Sequence, residues 1–379
     1  MLSMTKAFDI AVVGAGIIGL ACARAAALKG LRVVVIDRDA QANGASVRNF
    51  GFVTVTGQER GTAWNRARRT SAIWQQVAAA AGIPIDQRGL WMTTRRPEGL
   101  AVLEAFLETE MGEGCELLSR TTAEGRCRDI VGADVKGVLI SAHDLRVESR
   151  LAIPRIAAWL AERHGVEFRR QTTVRSAEPP RIETSRGPID AGAVVVCPGD
   201  DLVSLYPERI ARYLVTRCKL QMLKLASPGF KLPAPVMSDL GLLRYSGYAA
   251  LAEARPLRAR LESEQAEHLH HGIHLIVAQG ADGGLIVGDS HHYATTPDPF
   301  SDARVDQLIL EEFAAATARA APAVLERWTG TYSAARERSM FVDAPAARVR
   351  IVMITSGSGA STGFAIGEEV VHELFTGNG

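Results

Sequence analysis

The sequence lacks an excess of either charge. Its 43 Lys and Arg stand against 42 Asp and Glu, a formal net charge of +1. No basic field for a nucleic-acid backbone is built in, and no nucleic-acid partner is expected. No apolar run is long and clean enough to cross a bilayer. Internal repeats and low-complexity tracts are absent. Cysteine is sparse: Cys22, Cys115, Cys127, Cys197 and Cys218 form no C-x-x-C pair. An odd, scattered set reads as reduced thiols in a cytoplasmic protein, and Cys22 and Cys197 read as small buried hydrophobes. No spacing suggests a Ser/His/Asp triad. His268, His270, His271, His274, His291 and His292 match no standard metal-ligand pattern. They read as surface or internally bonded residues, and no metal is expected.

What is present is concentrated in the first forty residues. The run Phe8 to Val13 (FDIAVV) is a short apolar strand. Then come Gly14, Ala15, Gly16, Ile17, Ile18 and Gly19, followed by helix formers from Leu20 to Leu28 that stop at Gly30. A second β-branched run, Leu31 to Ile36, closes on Asp37. Strand, glycine-rich turn, helix, strand and acid follow in the order of a dinucleotide-binding βαβ unit. Gly14 permits the tight turn, Gly16 admits a pyrophosphate, and Gly19 lets the helix pack on the strands. The free N–H groups of the helix's first turn face the diphosphate. Asp37, about 20 residues on, suits a ribose hydroxyl. A ligand-free turn would show the same glycines. A secretory leader is a further reading, since Lys6 precedes an apolar, Ala-rich run; Asp9, the glycines and Arg24 argue against it.

At 379 residues the chain can bury a large core and reads as two domains. Helices are expected over Arg60–Ala81, Gly99–Met111, Arg150–His164, Arg255–His268, Ser301–Ala320 and Glu368–Phe375. Strands are expected over Gly89–Thr93, Val138–Ser141, Val166–Val174, Ala191–Val196, Lys219–Leu225, Gly272–Gln279, Leu285–Gly288 and Val349–Thr355. The arginines of the first of these helices read as a solvated face.

The βαβ unit, the pair Asp37-Arg38 and the following loop Gly44-Ala45-Ser46-Val47-Arg48-Asn49-Phe50-Gly51 resemble the FAD-dependent D-amino-acid oxidase and glycine oxidase family. The resemblance covers the whole chain and is strongest at residues 8–51, 190–199 and 327–369. It implies an α/β chain with a Rossmann-type FAD-binding domain and a second, mixed-sheet α+β substrate domain. The cofactor side would take residues 1–88, 141–215 and 326–379; the substrate side would take 89–140 and 216–325. By the same resemblance Ser46, Arg48, Asn49 and Gly51 pass along FAD, and the backbone of Val174 meets its adenine. The loop Ser356–Gly363, with Gly357, Gly359, Ser361, Thr362 and Gly363, lies against the flavin, where the last helix's N-terminus steadies negative charge. Cys197-Pro198-Gly199 departs from the family's Ala-Thr-Gly or Ala-Ala-Gly; Pro198 removes one N–H, while Gly199 still allows close approach.

The family's reaction is removal of hydride from the C–H of a small amine, with oxygen or another acceptor taking the electrons onward. In its amino-acid oxidases, the Arg of a W-x-G-x-R-P motif clamps the substrate carboxylate. Here Trp328-Thr329-Gly330-Thr331-Tyr332 puts Tyr332 in that slot. With Arg244-Tyr245 in a lid and Gly288-Asp289-Ser290-His291 after a strand, the match is closer to a branch associated with breakdown of 2-aminoethylphosphonate and its N-alkyl derivatives. Arg244, His291, Arg48 and Arg336 are the candidate head-group residues, with Tyr245 and Tyr332 beside them. Three readings stay open: an amino-acid, glycine or sarcosine oxidase or dehydrogenase, a non-catalytic flavin-binding subunit, and an NAD-dependent dehydrogenase. The last leaves the Ser46–Gly51 loop and the C-terminal Gly/Ser return unexplained. A homo-oligomer is also left open.

Overall fold

The computed structural model describes residues 7–376. Lys6, and with it the start of the leader-like pattern, lies outside the described residues, as do the outermost residues of segments 1–88 and 326–379.

Short β-branched runs, buried on both faces, build a six-stranded sheet. Its order is Met340–Ala346, Val349–Ile354, Val194–Val196, Ile10–Val13, Val33–Ile36 and Glu167–Arg169. All neighbours are parallel except the first pair. The helices Ile17–Leu28, Ser149–His164 and Gly359–Thr376 share one apolar core with it. A three-stranded sheet, Val174–Ser176, Arg181–Thr184 and Ile189–Asp190, joins the core on the other face. The second body is a ten-stranded mixed sheet. Its core takes in the helices Pro97–Leu107, Ala254–Glu264 and Ala303–Thr317. A Rossmann-type sheet joined to a mixed α+β sheet is the architecture expected from the sequence. Strands Gly137–Val147 and Val324–Ala334 run across the segment boundaries read near residues 140 and 325, so the two bodies interleave along the chain.

Backbone packing fixes the N-terminal turn. Gly14 has φ +102°, and a Cβ there would lie 2.4 Å from the Cys197 carbonyl oxygen. A Cβ on Gly19 would lie 1.8 Å from the Gly14 oxygen. The helix Ile17–Leu28 therefore starts flush against the strand ends.

Several elements differ from the sequence reading, among them the helix expected over Arg255–His268, which is two helices, Ala254–Glu264 and Ala266–His270, and the strand expected from Gly272, which starts at Ile276. The last helix begins at Gly359, well before Glu368. Its Gly/Ser start reads as loop, but Gly363 and Gly367 let it lie against the N-terminal helix; a Cβ on Gly367 would meet the Ala21 carbonyl carbon at 2.6 Å. The run Val166–Val174 breaks at Gln171, whose φ is +52°, and its halves join different sheets. The strand expected at Val138–Ser141 continues to Val147. Strand Met340–Ala346 has no clear alternation to reveal it. The arginines after Arg60 are partly engaged: Arg66 pairs with Glu369 and Arg69 with Glu368 of the last helix.

One buried ion pair positions the helix that carries Arg244. Strand Ile85–Thr94 ends at Arg95-Arg96. The Arg95 N–H donates to Asp239, and Arg96 Nη1 lies 2.7 Å from Asp239 Oδ2. Asp239 is fully buried and opens the helix Asp239–Arg244. Burial raises its carboxyl above the usual range, while bonds from Thr94 and Arg96 oppose that rise. Arg96→Ala leaves this acid without its cation and is expected to cost about 3–5 kcal/mol. Denaturant unfolding, alone and combined with Asp239→Asn, measures the coupling. A loss below about 1 kcal/mol would mean that the pair does not anchor the helix.

Candidate active site

A cavity of about 320 Å³ lies between the two sheets. From the six-stranded side it is lined by Gly16, Ile17, Ile18, Gly19, Cys197 and Gly199. The connecting loop contributes Ser46, Arg48, Asn49 and Gly51, and the C-terminal segment contributes Gly357, Gly359, Ser361 and Thr362. From the ten-stranded side come Arg244, Tyr245, His291 and Tyr332. Two helix N-termini, those of Ile17–Leu28 and Gly359–Thr376, thus present their first turns to one space. Their dipoles, and the first-turn N–H groups not already bonded within the protein, favour negative charge there. The Ser46 hydroxyl accepts from the Ile17 N–H at 2.9 Å.

Other sequence candidates fall elsewhere. Gly14 and Ala15 support the turn from behind the lining. Gly363 faces Ile18 and serves helix packing: a Cβ there would lie 2.9 Å from the Ile18 side chain. Asp37 does not line the cavity: its Oδ2 accepts from the Ala15 N–H at 2.6 Å and its Oδ1 from the Asp39 N–H at 2.8 Å. The acid braces the glycine-rich turn, with lone pairs left for a further donor. Arg38 is paired with Asp201 at 2.8 Å. Val174 is buried in the three-stranded sheet. Its segment reaches the acid through the Thr172 N–H bond to the Asp37 carbonyl oxygen, 2.9 Å. The Asn49 side chain is spent on the loop itself: Nδ2 donates to Ala45 O, and Oδ1 accepts from Gly51 N–H and Ser149 Oγ. Cys22 is buried as expected, whereas Cys197 is only partly buried because it faces the cavity. Arg336 is exposed and outside the lining.

At the substrate end, Tyr332 is buried in strand Val324–Ala334. Its hydroxyl accepts from Arg244 Nη2 at 3.0 Å. A Cβ on Gly357 would touch the Tyr332 ring at 3.3 Å, so the C-terminal loop rests on that ring. Burial raises the Tyr332 phenol well above its ordinary value, with Arg244 opposing. Arg48 reaches Asn43 at 3.1 Å and Thr329 O at 3.5 Å.

The histidine reading needs correction. His274 and His291 are neither surface residues nor fully bonded; both are buried in the cavity wall, and His274 Nδ1 has no hydrogen-bond partner among the described residues. Between them lies Asp289, also buried. His274 and Asp289 exchange backbone bonds of 3.3 and 3.2 Å just beyond the ends of the paired strands Ile276–Gln279 and Leu285–Gly288. This pairing, one residue off the ladder register of those strands, brings them together rather than any spacing within one strand.

A glycine-rich strand-to-helix turn, an acid bracing it, and two helix N-termini on one cavity define a protein built to hold a diphosphate-bearing nucleotide against a substrate chamber. The chain belongs to the DAO family of FAD-dependent oxidoreductases, whose sequence profile matches residues 9–373. Solved structures with the same fold include glycine oxidase from Bacillus cereus ATCC 14579, at 15% identity and TM-score 0.78, covering 98% of this chain and 96% of that one. L-proline dehydrogenase from P. horikoshii has 17% identity and TM-score 0.79, with 99% and 95% covered. FAD-bound L-alpha-glycerophosphate oxidase from Mycoplasma pneumoniae has 14% identity and TM-score 0.74, with 98% and 96% covered. No curated protein sequence matches significantly. FAD is the cofactor, which sets aside the NAD reading.

The residues present fit that group. A Cβ on Gly16 would crowd the Ser46 hydroxyl at 3.0 Å and close the space before the helix. Asp37→Ala removes the brace of the turn and the acid that the sequence reading assigns to the ribose. FAD affinity of the apoprotein, followed by flavin fluorescence, is expected to fall by about 1.5–3 kcal/mol. Undiminished affinity would show that the acid neither braces nor binds.

Proposed function

We propose that the substrate is a small primary or secondary amine carrying an anionic group other than an α-carboxylate. A phosphonate such as 2-aminoethylphosphonate or its N-methyl form suits the site best. The observation that supports this reading is the Arg244–Tyr332 contact. Where the family's amino-acid oxidases carry the clamp arginine, this chain has a neutral phenol, and the guanidinium comes from the lid helix instead. An anion farther from the reacting carbon than a carboxylate meets Arg244 there.

When bound, FAD supplies the acceptor for the hydride and its electron pair. The protein contributes orientation. Arg244 holds the head group with a charge-assisted bond. Tyr332 holds Arg244, Arg48 adds positive charge, and the buried wall excludes water, which strengthens each contact. Oxygen or another acceptor takes the electrons onward. The five unpaired thiols suit a reducing cytoplasm. Among the described residues no helix is long and apolar enough to cross a membrane.

Anaerobic bleaching of the flavin separates an enzyme from a flavin binder. Among 2-aminoethylphosphonate, its N-methyl form, glycine, sarcosine and D-alanine, the phosphonates are expected to give the highest kcat/KM. The α-amino acids should fall lower by roughly two or three powers of ten. Arg244→Ala is expected to lower kcat/KM for the preferred amine by about 2–5 kcal/mol, and Tyr332→Arg to move preference toward α-amino acids. Glycine or D-alanine leading in the unaltered protein would replace this reading with an amino-acid oxidase.

A further inference from the structure

The head-group contact leaves one buried cluster unused. His274, Asp289 and His291 line the cavity, 4%, 4% and 7% exposed, with their terminal polar atoms within 4.8 Å of one another. His291 Nδ1 lies 2.8 Å from the Gly272 carbonyl oxygen. That nitrogen therefore carries the hydrogen, and Nε2 is left as an acceptor. Nε2 sits 3.8 Å from Asp289 Oδ2, and His274 Nδ1 sits 3.2 Å from Asp289 Oδ1. Among the described residues, neither His274 Nδ1 nor Asp289 Oδ1 has a hydrogen-bond partner. Arg244 directs a donor to Tyr332 and forms no ion pair with Asp289. Asp289 Oδ1 is an acceptor when ionised and His274 Nδ1 is one when Nε2 carries the hydrogen, and unpartnered buried acceptors are destabilising. A wall of them beside the reaction chamber suits a ligand that brings several donors, and an ammonium brings up to three.

We propose that this cluster receives the substrate's ammonium group and that Asp289 takes its proton, releasing the neutral amine that oxidation requires. The inference rests on reading the substrate as an amine. In the transfer one N–H bond breaks, its electron pair stays on nitrogen, and an O–H bond forms on the Asp289 carboxylate. No redox partner is needed for this step. His274 and His291 act as positioning residues, each offering a lone pair to the remaining N–H donors.

The electrostatics of the cluster agree with the geometry. Burial pushes the Asp289 carboxyl up to about 8, with the Arg244 charge opposing. Burial, then Arg244, holds both imidazoles well below their ordinary range, so they are neutral. The groups facing Asp289 are Arg244, Tyr245, Cys218, His274 and His291. Burial raises the Tyr245 phenol and pushes the Cys218 thiol up to about 11, so near neutrality only Arg244 among them is charged. Below about 8 the free carboxyl is neutral, and above it the carboxylate attracts a cation. Ammonium affinity therefore rises as pH passes that value and falls once the amine loses its own proton.

The probe is tert-butylamine, which has no hydrogen on its α-carbon and cannot be oxidised. It is titrated into the FAD-loaded holoenzyme, followed by the flavin's visible spectrum between about pH 6 and about pH 10, with tert-butanol as the uncharged control. Wild-type affinity for the amine is expected to rise through about 8, and tert-butanol to show no such dependence. Asp289→Asn is expected to weaken amine binding about tenfold or more and to flatten its pH dependence. Should that variant fail to hold FAD, His274→Leu is expected to weaken binding about tenfold while keeping the pH dependence. Unchanged affinity in the variant that holds FAD, or pH-independent binding in the wild type, would overturn the proposal. So would a divalent metal retained at about one per chain through dialysis and lost in Asp289→Asn. If tert-butylamine binds as expected but no amine bleaches the flavin, the cluster is an ammonium site, and the function reading fails together with the proton transfer built on it.

Discussion

The structure depends on how closely three backbones approach at the end of strand Ile10–Val13. Gly14, Gly19 and the Cys197 carbonyl meet where no side chain fits. That contact sets the axis of the N-terminal helix and hence the direction of its unpaired N–H groups. The last helix repeats the device through Gly363 and Gly367. Its own first turn is fixed by the Trp74 indole donating to Ala360 O and by the Ser361 hydroxyl accepting from the Thr54 N–H. Two helix termini are thus aimed at one point by close packing. The cradle is a property of the folded chain.

The other end of the cavity is organised by charge in a place of low dielectric. Arg244 is the cation to which its neighbours respond. It opposes the rise of the Asp289 and Tyr332 pKa values and deepens the fall of those of His274 and His291. A single guanidinium therefore helps keep the imidazoles neutral and gives the phenol a fixed hydrogen-bonding partner. The short helix that carries it is held by a fully buried acid, Asp239. Electrostatic tuning here rests on an ion pair made elsewhere in the chain.

Much of this was legible in the sequence because the nucleotide fold is local. The strands Ile10–Val13 and Val33–Ile36, the helix between them and Asp37 lie within about thirty positions and obey simple spacing. What the sequence hid was non-local. The last helix starts in glycine and serine because tertiary packing overrides propensity there. Asp37 faces the turn rather than the cavity, and Asn49 is consumed by its own loop, since hydrogen-bond partners cannot be read from residue type. The cluster of His274, Asp289 and His291 forms where the chain leaves the paired strands Ile276–Gln279 and Leu285–Gly288. Each residue alone looks like an ordinary strand-end polar group. Tyr332 was legible as a departure from a motif, yet its bond to Arg244 required the lid helix and the strand Val324–Ala334 to be seen together.

The Arg244–Tyr332 bond has a consequence for the thermodynamics of binding. An arginine free in an open pocket loses rotamer entropy when a ligand captures it, about 0.5–1.5 kcal/mol for such a side chain. Here the side chain is already held at 3.0 Å by a rigid aromatic partner, so that entropy is lost on folding and not on binding. The phenol occupies only one of the guanidinium's donors, which leaves the rest of the planar fork presented in a fixed orientation. If Arg244 reads the substrate's head group as proposed, an anion is sorted by whether its oxygens match a stationary fork. Discrimination among head groups becomes a matter of enthalpy and shape, and poorly matched anions gain nothing from the protein adjusting to them.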